Sequence, residues 1–157
     1  MNPSQIPLLA RNETPATQPR HTIALVSCVA QKLDRPARAR DLYISTLFRS
    51  LRRYAEAHAD AWFILSAKYG LVDPNEVIEP YELTFNTMGT QARRAWAARV
   101  REALTPKLPP GCAVILLAGQ RYREYIEPWL CDRGHSVSIP LEGLPIGRQL
   151  QWLKQHR

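Results

Sequence analysis

Residues 79–86 place Glu79, Tyr81, Glu82, Thr84 and Asn86 within one short run, a density of charge and hydrogen-bonding capacity that suits acid–base or charge-stabilising chemistry. Lys68 and Tyr69 stand upstream, ahead of Gly70, which reads as a bend. A second group occupies residues 27–43, where Ser27 and Cys28 leave a strand, Lys32 is a flexible cation, Arg38 and Arg40 follow, and Asp41 and Tyr43 close the stretch. Asp41 has two readings: a functional carboxylate, or the N-cap of a helix beginning at Leu42. Each tyrosine is likewise either a ligand-facing ring or a core ring. In a third group, residues 118–122, Gly119 lies between a strand and a helix, so that helix-start amides and Arg121 would favour an anion. Arg123 and Glu124 read as solvated surface. A fourth group sets Gly143, Pro145 and Gly147 ahead of a helix with Arg148 at its start, either a phosphate cradle or a tight turn.

The elements that must position these residues follow from hydrophobic period. Residues 21–28, 61–66 and 112–119 are short apolar runs bounded by turn residues, as expected of strands buried on both faces. Residues 135–140 read as a shorter fourth strand. Apolar positions recur at helical spacing in 41–58, 89–104, 120–131 (across Pro128) and 147–156. Alternation of strand and helix predicts an α/β, three-layer sandwich around a small, mainly parallel four-stranded sheet. In such sheets ligands bind beyond the carboxyl ends of the strands, here after Val26, Leu65 and Leu117. The connection after Leu65 is far longer than the usual two to six residues, which marks it as functional. Within it, Asp73-Pro74-Asn75 reads as a turn, and Thr84, Asn86 and Thr87 also read as organisers of backbone.

A chain of 157 residues suits a single domain, placed at 21–157. Residues 1–20 carry four prolines without a sustained period and read as a flexible N-terminal tail. The formal charge of +7, from 21 Lys and Arg against 14 Asp and Glu, favours a polyanionic partner such as nucleic acid. No secretory pattern and no run of eighteen apolar residues is found, so a cytoplasmic protein without membrane contact is expected. No obligate protein partner is evident. Three scattered cysteines make neither a disulfide framework nor a zinc motif, and neither a dinucleotide fingerprint nor a P-loop occurs. No cofactor or metal is expected.

The motifs SCVAQKL, ARDLYISTLF, ILSAKYGLVDP, EPYELTFNTM and LAGQRYREY, with the later GLPIGRQLQWL, together resemble a small bacterial protein family of formerly unknown function. The SAKYGLV and PYEL portions are also similar to YaaA-like proteins and to accessory domains of archaeal tRNA-guanine modification enzymes, groups related to the uracil-DNA-glycosylase-like α/β fold. The resemblance implies that fold and, from a phage-defence member of the family, a DNA glycosylase that removes bulky modified bases. The GQDPYH and HPS motifs of uracil-DNA glycosylases are absent here, so their catalytic roles are not carried over.

Cleaving a base–sugar bond develops positive charge on the deoxyribose and negative charge on the departing base. Glu82 and Asp41 are the candidate carboxylates for the first task, Glu82 foremost, with Asn86 to hold the base edge or the water. An extruded base needs a lined pocket, for which Cys28, Tyr43, Lys68, Tyr69 and Tyr81 are the candidates. Lys32, Arg38, Arg40, Arg121, Tyr122 and Arg148 would contact DNA, the cations giving affinity and not sequence choice. A lysine nucleophile with lyase activity is not excluded, although a monofunctional enzyme is expected. Two other readings stand beside this one: a nucleoside deoxyribosyltransferase or hydrolase acting on free nucleosides, and a noncatalytic nucleic-acid-binding module.

Overall fold

A computed structural model of the chain describes residues 21–28 and 31–157; the expected tail at 1–20 lies outside them. The main sheet contains β1 (Thr22–Ser27), β3 (Ala61–Ser66), β4 (Gly70–Val72), β6 (Ala113–Leu117) and β7 (Ser136–Ser138), in the order β4-β3-β1-β6-β7. β1 pairs in parallel with both β3 and β6, and β6 in parallel with β7. The four expected strands are joined by a fifth, β4, which runs antiparallel to β3. It lies inside the segment read as a long loop. Gly70, at φ 75°, supplies the left-handed conformation that closes this hairpin, and Ser66 Oγ accepts the Tyr69 N–H at 3.1 Å within it. Two residues each from β2 (Ala37–Arg38) and β5 (Val77–Ile78) form a separate small antiparallel pair. Asp73 accepts the Asn75 N–H at 2.9 Å, the expected turn.

Strand side chains alternate between two cores, as the pleat requires. Ala24, Val26, Trp62, Ile64 and Leu117 face one core, with Phe48, Leu51 and Leu153. Ile23, Leu25, Phe63, Leu65 and Leu116 face the other, with Trp96, Val100 and Leu130. Helices α2 (Thr46–His58) and α6 (Ile146–Gln155) therefore cover one face, and α3 (Thr90–Leu104) and α5 (Glu127–Asp132) the opposite one. Each fully buried aliphatic side chain in these cores contributes about 1.5–3 kcal/mol of transfer free energy.

Three helix boundaries differ from expectation. The helix expected over 41–58 is divided into α1 (Ala39–Leu42) and α2. Ser45 Oγ caps α2 by accepting the Phe48 N–H at 3.1 Å, so the capping duty assigned to Asp41 belongs to Ser45. The helix expected over 120–131 is divided into α4 (Gln120–Arg123) and α5. Pro128 sits in the first turn of α5, where its missing N–H costs nothing, whereas mid-helix it would break a bond and clash with the preceding turn. The last helix starts at Ile146, placing Gly147 within it.

Candidate functional site

The chain leaves β1 toward β3 on one side and returns to β6 on the other, which makes the carboxyl ends of β1 and β6 the topological switch point where α/β proteins place ligands. A cavity of about 420 Å3 opens there. Its floor is Ser27 from β1 with Leu117 and Gly119 from β6 and the following turn. Leu47 and Leu51 of α2 and Leu141, Leu144 and Ile146 make an apolar wall. The polar groups on its lining are Gln120, Tyr122, Arg123, Glu142 and Gln149, together with Ser27. That composition, mostly apolar with a few convergent polar groups, is typical of small-molecule sites.

Arg123 and Glu142 are the charged pair of this cavity. The Arg123 side chain is only 13% exposed, with Nη1 3.4 Å from Glu142 Oε2 and 3.6 Å from Glu127 Oε1, while Nε donates to the Ala118 carbonyl at 3.3 Å. Glu142 stays 62% exposed at the rim. Arg123 is thus a buried clamp and not the solvated residue that the sequence suggested; Glu124 is likewise engaged, accepting from Arg93 Nε at 3.0 Å. Glu142 itself carries no local signal. It lies in the turn between β7 and α6, shaped by Leu144 N–H donating to the Leu141 carbonyl at 3.1 Å and by Gly143 at φ 78°. The glycine-rich segment before α6 is therefore a turn that lines a cavity, and Arg148 is exposed on the helix beyond it.

Beside the cavity, at the ends of β1 and β3, lies a cluster of hydroxyls and one thiol. Cys28 Sγ is 3.1 Å from the Tyr122 hydroxyl, so Tyr122 belongs to both cluster and cavity. Ser66 Oγ donates to the Tyr81 hydroxyl at 2.8 Å, which is 2.7 Å from that of Tyr43. Burial first, then the neighbouring Cys28, pushes Tyr43 up to about 12. The same two causes raise Tyr81 and Tyr122 still further. All three phenols are neutral at physiological pH.

The alkaline consequence has a definite sign. A tyrosine that keeps its proton in the fold while the unfolded chain loses it near pH 10 stabilises the native state fully below pH 10; that stability is lost as pH rises toward 12. Stability is expected to fall by about 2–3 kcal/mol over this window from Tyr43 alone. Urea unfolding between pH 9 and 11.5 measures it, and Tyr43→Phe should flatten the slope. An unchanged slope in that variant would contradict the buried phenol.

The residues singled out by sequence are distributed as follows. Cys28, Tyr43, Tyr69 and Tyr81 come together: Tyr69 meets Tyr81 edge-on at 5.5 Å, and Tyr43 packs on Phe48 at 5.0 Å. Tyr43 is only 1% exposed, so of its two readings the structure favours the core ring, and its backbone is bridged to that of Lys32. The cavity wall is leucine-rich instead of tyrosine-rich, because the three tyrosines belong to the β3 side of β1. Lys32 Nζ stands 4.4 Å from the Tyr81 ring centre and Lys68 Nζ 5.2 Å from that of Tyr69. Asp41 is exposed on α1 and accepts from Arg52 Nη1 at 3.1 Å. Glu82 and Asn86 are exposed, Asn86 in a single 3-10 turn, Phe85–Thr87. Glu82, Asp41 and Asn86 do not line the cavity. Arg38 is exposed on β2, Arg121 is exposed on α4, and Arg40 reaches Glu56 at 3.8 Å. Among the described residues no group of three or more His, Cys, Asp or Glu is arranged to hold a metal ion, and no helix is long and apolar enough to cross a membrane.

Comparison with known proteins adds two findings. The model of a family of unknown function, DUF6884, matches residues 23–155, which takes in every element of the sheet and the cavity. The uncharacterized protein YfjM of Bacillus subtilis (strain 168) is 31% identical over 122 residues, covering 76% of this chain and 80% of that protein.

Proposed function

The chain belongs to the DUF6884 family, whose activity is unassigned, and from its own site we propose that it is a DNA glycosylase that hydrolyses the N-glycosidic bond of a modified base, with the extruded base held in the switch-point cavity. The observation that carries the reading is the cavity itself: apolar walls and a few fixed polar groups, with one carboxylate, Glu142, at its rim. The overall positive charge and the resemblance of the motifs to a base-removing family support a DNA substrate. The uracil-DNA-glycosylase-like relationship of the fold is part of this proposal, supported by a mostly parallel sheet covered by helices on both faces.

In this mechanism the base enters between Leu47, Leu51 and Leu144 and meets hydrogen bonds from Tyr122 and Gln120. The neutral Tyr122 hydroxyl donates to the base as negative charge grows on it. Glu142, oriented by Arg123, faces the sugar. It stabilises the developing cation at C1′ and takes a proton from the attacking water, whose oxygen bonds to C1′ as the C1′–N bond breaks and its electron pair leaves on the base. The carboxylate role expected of Glu82 or Asp41 is reassigned to Glu142, because it alone of the three borders the cavity.

The test is release of free base, with formation of abasic sites, from phage DNA carrying hypermodified cytosines. Free nucleosides and unmodified DNA are the comparison substrates. Release from free nucleosides alone would make the protein a nucleoside hydrolase, and binding without release from any DNA would make it a binding module.

A further inference from the structure

Tyr122 is shared by the cavity and the hydroxyl cluster, and a hydroxyl carries a single proton. Its oxygen lies 3.1 Å from Cys28 Sγ, a contact in which either partner can donate. Cys28 itself is partly buried and does not line the cavity, although the preceding residue, Ser27, does. Behind the sulfur the cluster continues. A side-chain hydrogen bond joins Cys28 to the Tyr81 hydroxyl, Ser66 Oγ donates to that hydroxyl at 2.8 Å, and the Tyr43 hydroxyl stands 2.7 Å from it. Both partners of the Cys28–Tyr122 contact are held firmly. Cys28 N–H donates to the Leu65 carbonyl at 3.0 Å, and the Tyr122 ring stacks on Phe85 at 4.0 Å.

We infer that Cys28 is a positioning residue for base release: its thiol donates to the Tyr122 oxygen and so turns the Tyr122 proton into the cavity. The inference rests on the DNA-glycosylase reading for the base that receives this hydrogen bond, and it moves Cys28 from the base pocket to the layer behind it. The directions of the other bonds follow from counting protons. A thiol that gives its single proton to Tyr122 can only accept from Tyr81. Tyr81, giving its proton to the sulfur, in turn accepts from Ser66 and Tyr43, which its two lone pairs allow. Ser66 and Tyr43 are enclosed, at 0% and 1% exposure, so the chain runs one way, from two buried groups through Tyr81 and Cys28 to the cavity. Bonds linked in this manner polarise one another, and the terminal hydroxyl donates more strongly to a base that is acquiring negative charge. No proton is transferred along the chain. Tyr122 stays neutral, because burial first of all holds its proton.

Two measurements test the arrangement, the first without any substrate. The S–H infrared stretch of Cys28, identified by its loss in Cys28→Ser, should lie below that of the exposed Cys131 thiol and move toward it in Tyr122→Phe. A band that stays in place in Tyr122→Phe, with a native thermal melt, means that the thiol is not the donor and overturns the inference. The second measurement is single-turnover base release from modified DNA. Cys28→Ala should lower it roughly 3–10-fold, the usual worth of one hydrogen bond, at unchanged DNA affinity. Cys28→Ser, whose hydroxyl both donates and accepts, should recover most of that loss. Combining Cys28→Ala with Tyr81→Phe should cost no more than Cys28→Ala alone, since the chain is already cut. Equal losses in the serine and alanine variants, or losses that add in the double variant, would make Cys28 a packing residue and overturn its positioning role. A shifted S–H band in a protein that releases no base would leave the thiol's donation standing and defeat only the glycosylase reading.

Discussion

Glu142→Gln is expected to lower base release by about 10²–10⁴-fold, the usual contribution of a positioned general base, while leaving DNA affinity unchanged. The amide keeps the size and the Arg123 contact of the carboxylate but cannot take a proton from water or balance positive charge on the sugar. Because the side chain is mostly exposed at the rim, the protein should fold as before, so the loss reads chemistry. Single-turnover kinetics on modified DNA, with binding measured in parallel, separates the two. Asp41→Asn provides the contrast. Its partner Arg52 is also satisfied by Glu56, and an exposed ion pair is worth about 0–1 kcal/mol, so both stability and release should be nearly untouched. If Glu82→Gln abolished release while Glu142→Gln did not, the carboxylate would lie in residues 79–86 and the switch-point cavity would lose its catalytic assignment.

The contrast between Glu82 and Glu142 also marks what a sequence can and cannot disclose here. Strands of the β1 kind announce themselves, since a run buried on both faces has to be continuously apolar, and the alternation of such runs with helical stripes led to the α/β sheet. β4 escaped because three residues closed by Gly70 carry too little periodicity. Apolar period alone runs across Pro128, whereas the residue type marks a helix start. The polar density around Glu82 is a local feature of the sequence, yet that segment meets the tyrosine cluster and not the cavity. The cavity is assembled from residues 27, 117–123 and 141–149, which become neighbours only because β1 and β6 pair in parallel. Glu142 and Gln149 have ordinary local surroundings, so no spacing rule could have found them. Tyr122 was legible as a residue near a strand end, but its bond to Cys28 depends on two chain segments 94 positions apart.

Trp96→Ala is expected to destabilise the fold by about 3–5 kcal/mol, a large share of the roughly 5–15 kcal/mol available to a domain of this size. Trp96 is 1% exposed on α3 and packs against Phe85 at 4.6 Å and Tyr122 at 5.6 Å. Its indole N–H donates to the Ser66 carbonyl at 2.8 Å. The alanine variant therefore opens a cavity and also removes the indole N–H bond to the Ser66 carbonyl, a net loss of about 0.5–1.5 kcal/mol more. Trp96→Phe separates these parts, keeping most of the ring volume while losing the N–H, and should cost nearer the second figure. Urea midpoints at constant m-value give both numbers. The effect should also reach the site. Ser66 carries the Tyr81 hydroxyl bond on its side chain and the Trp96 bond on its carbonyl, and Tyr122 stacks on Phe85 at 4.0 Å. Trp96 is thus the packing post behind both the hydroxyl cluster and the cavity's tyrosine. Trp96→Phe should consequently weaken base release more than its stability loss alone explains, at temperatures where the variant is fully folded. A variant with native release rates would show that the cluster holds its geometry without the indole, and would confine Trp96 to the core.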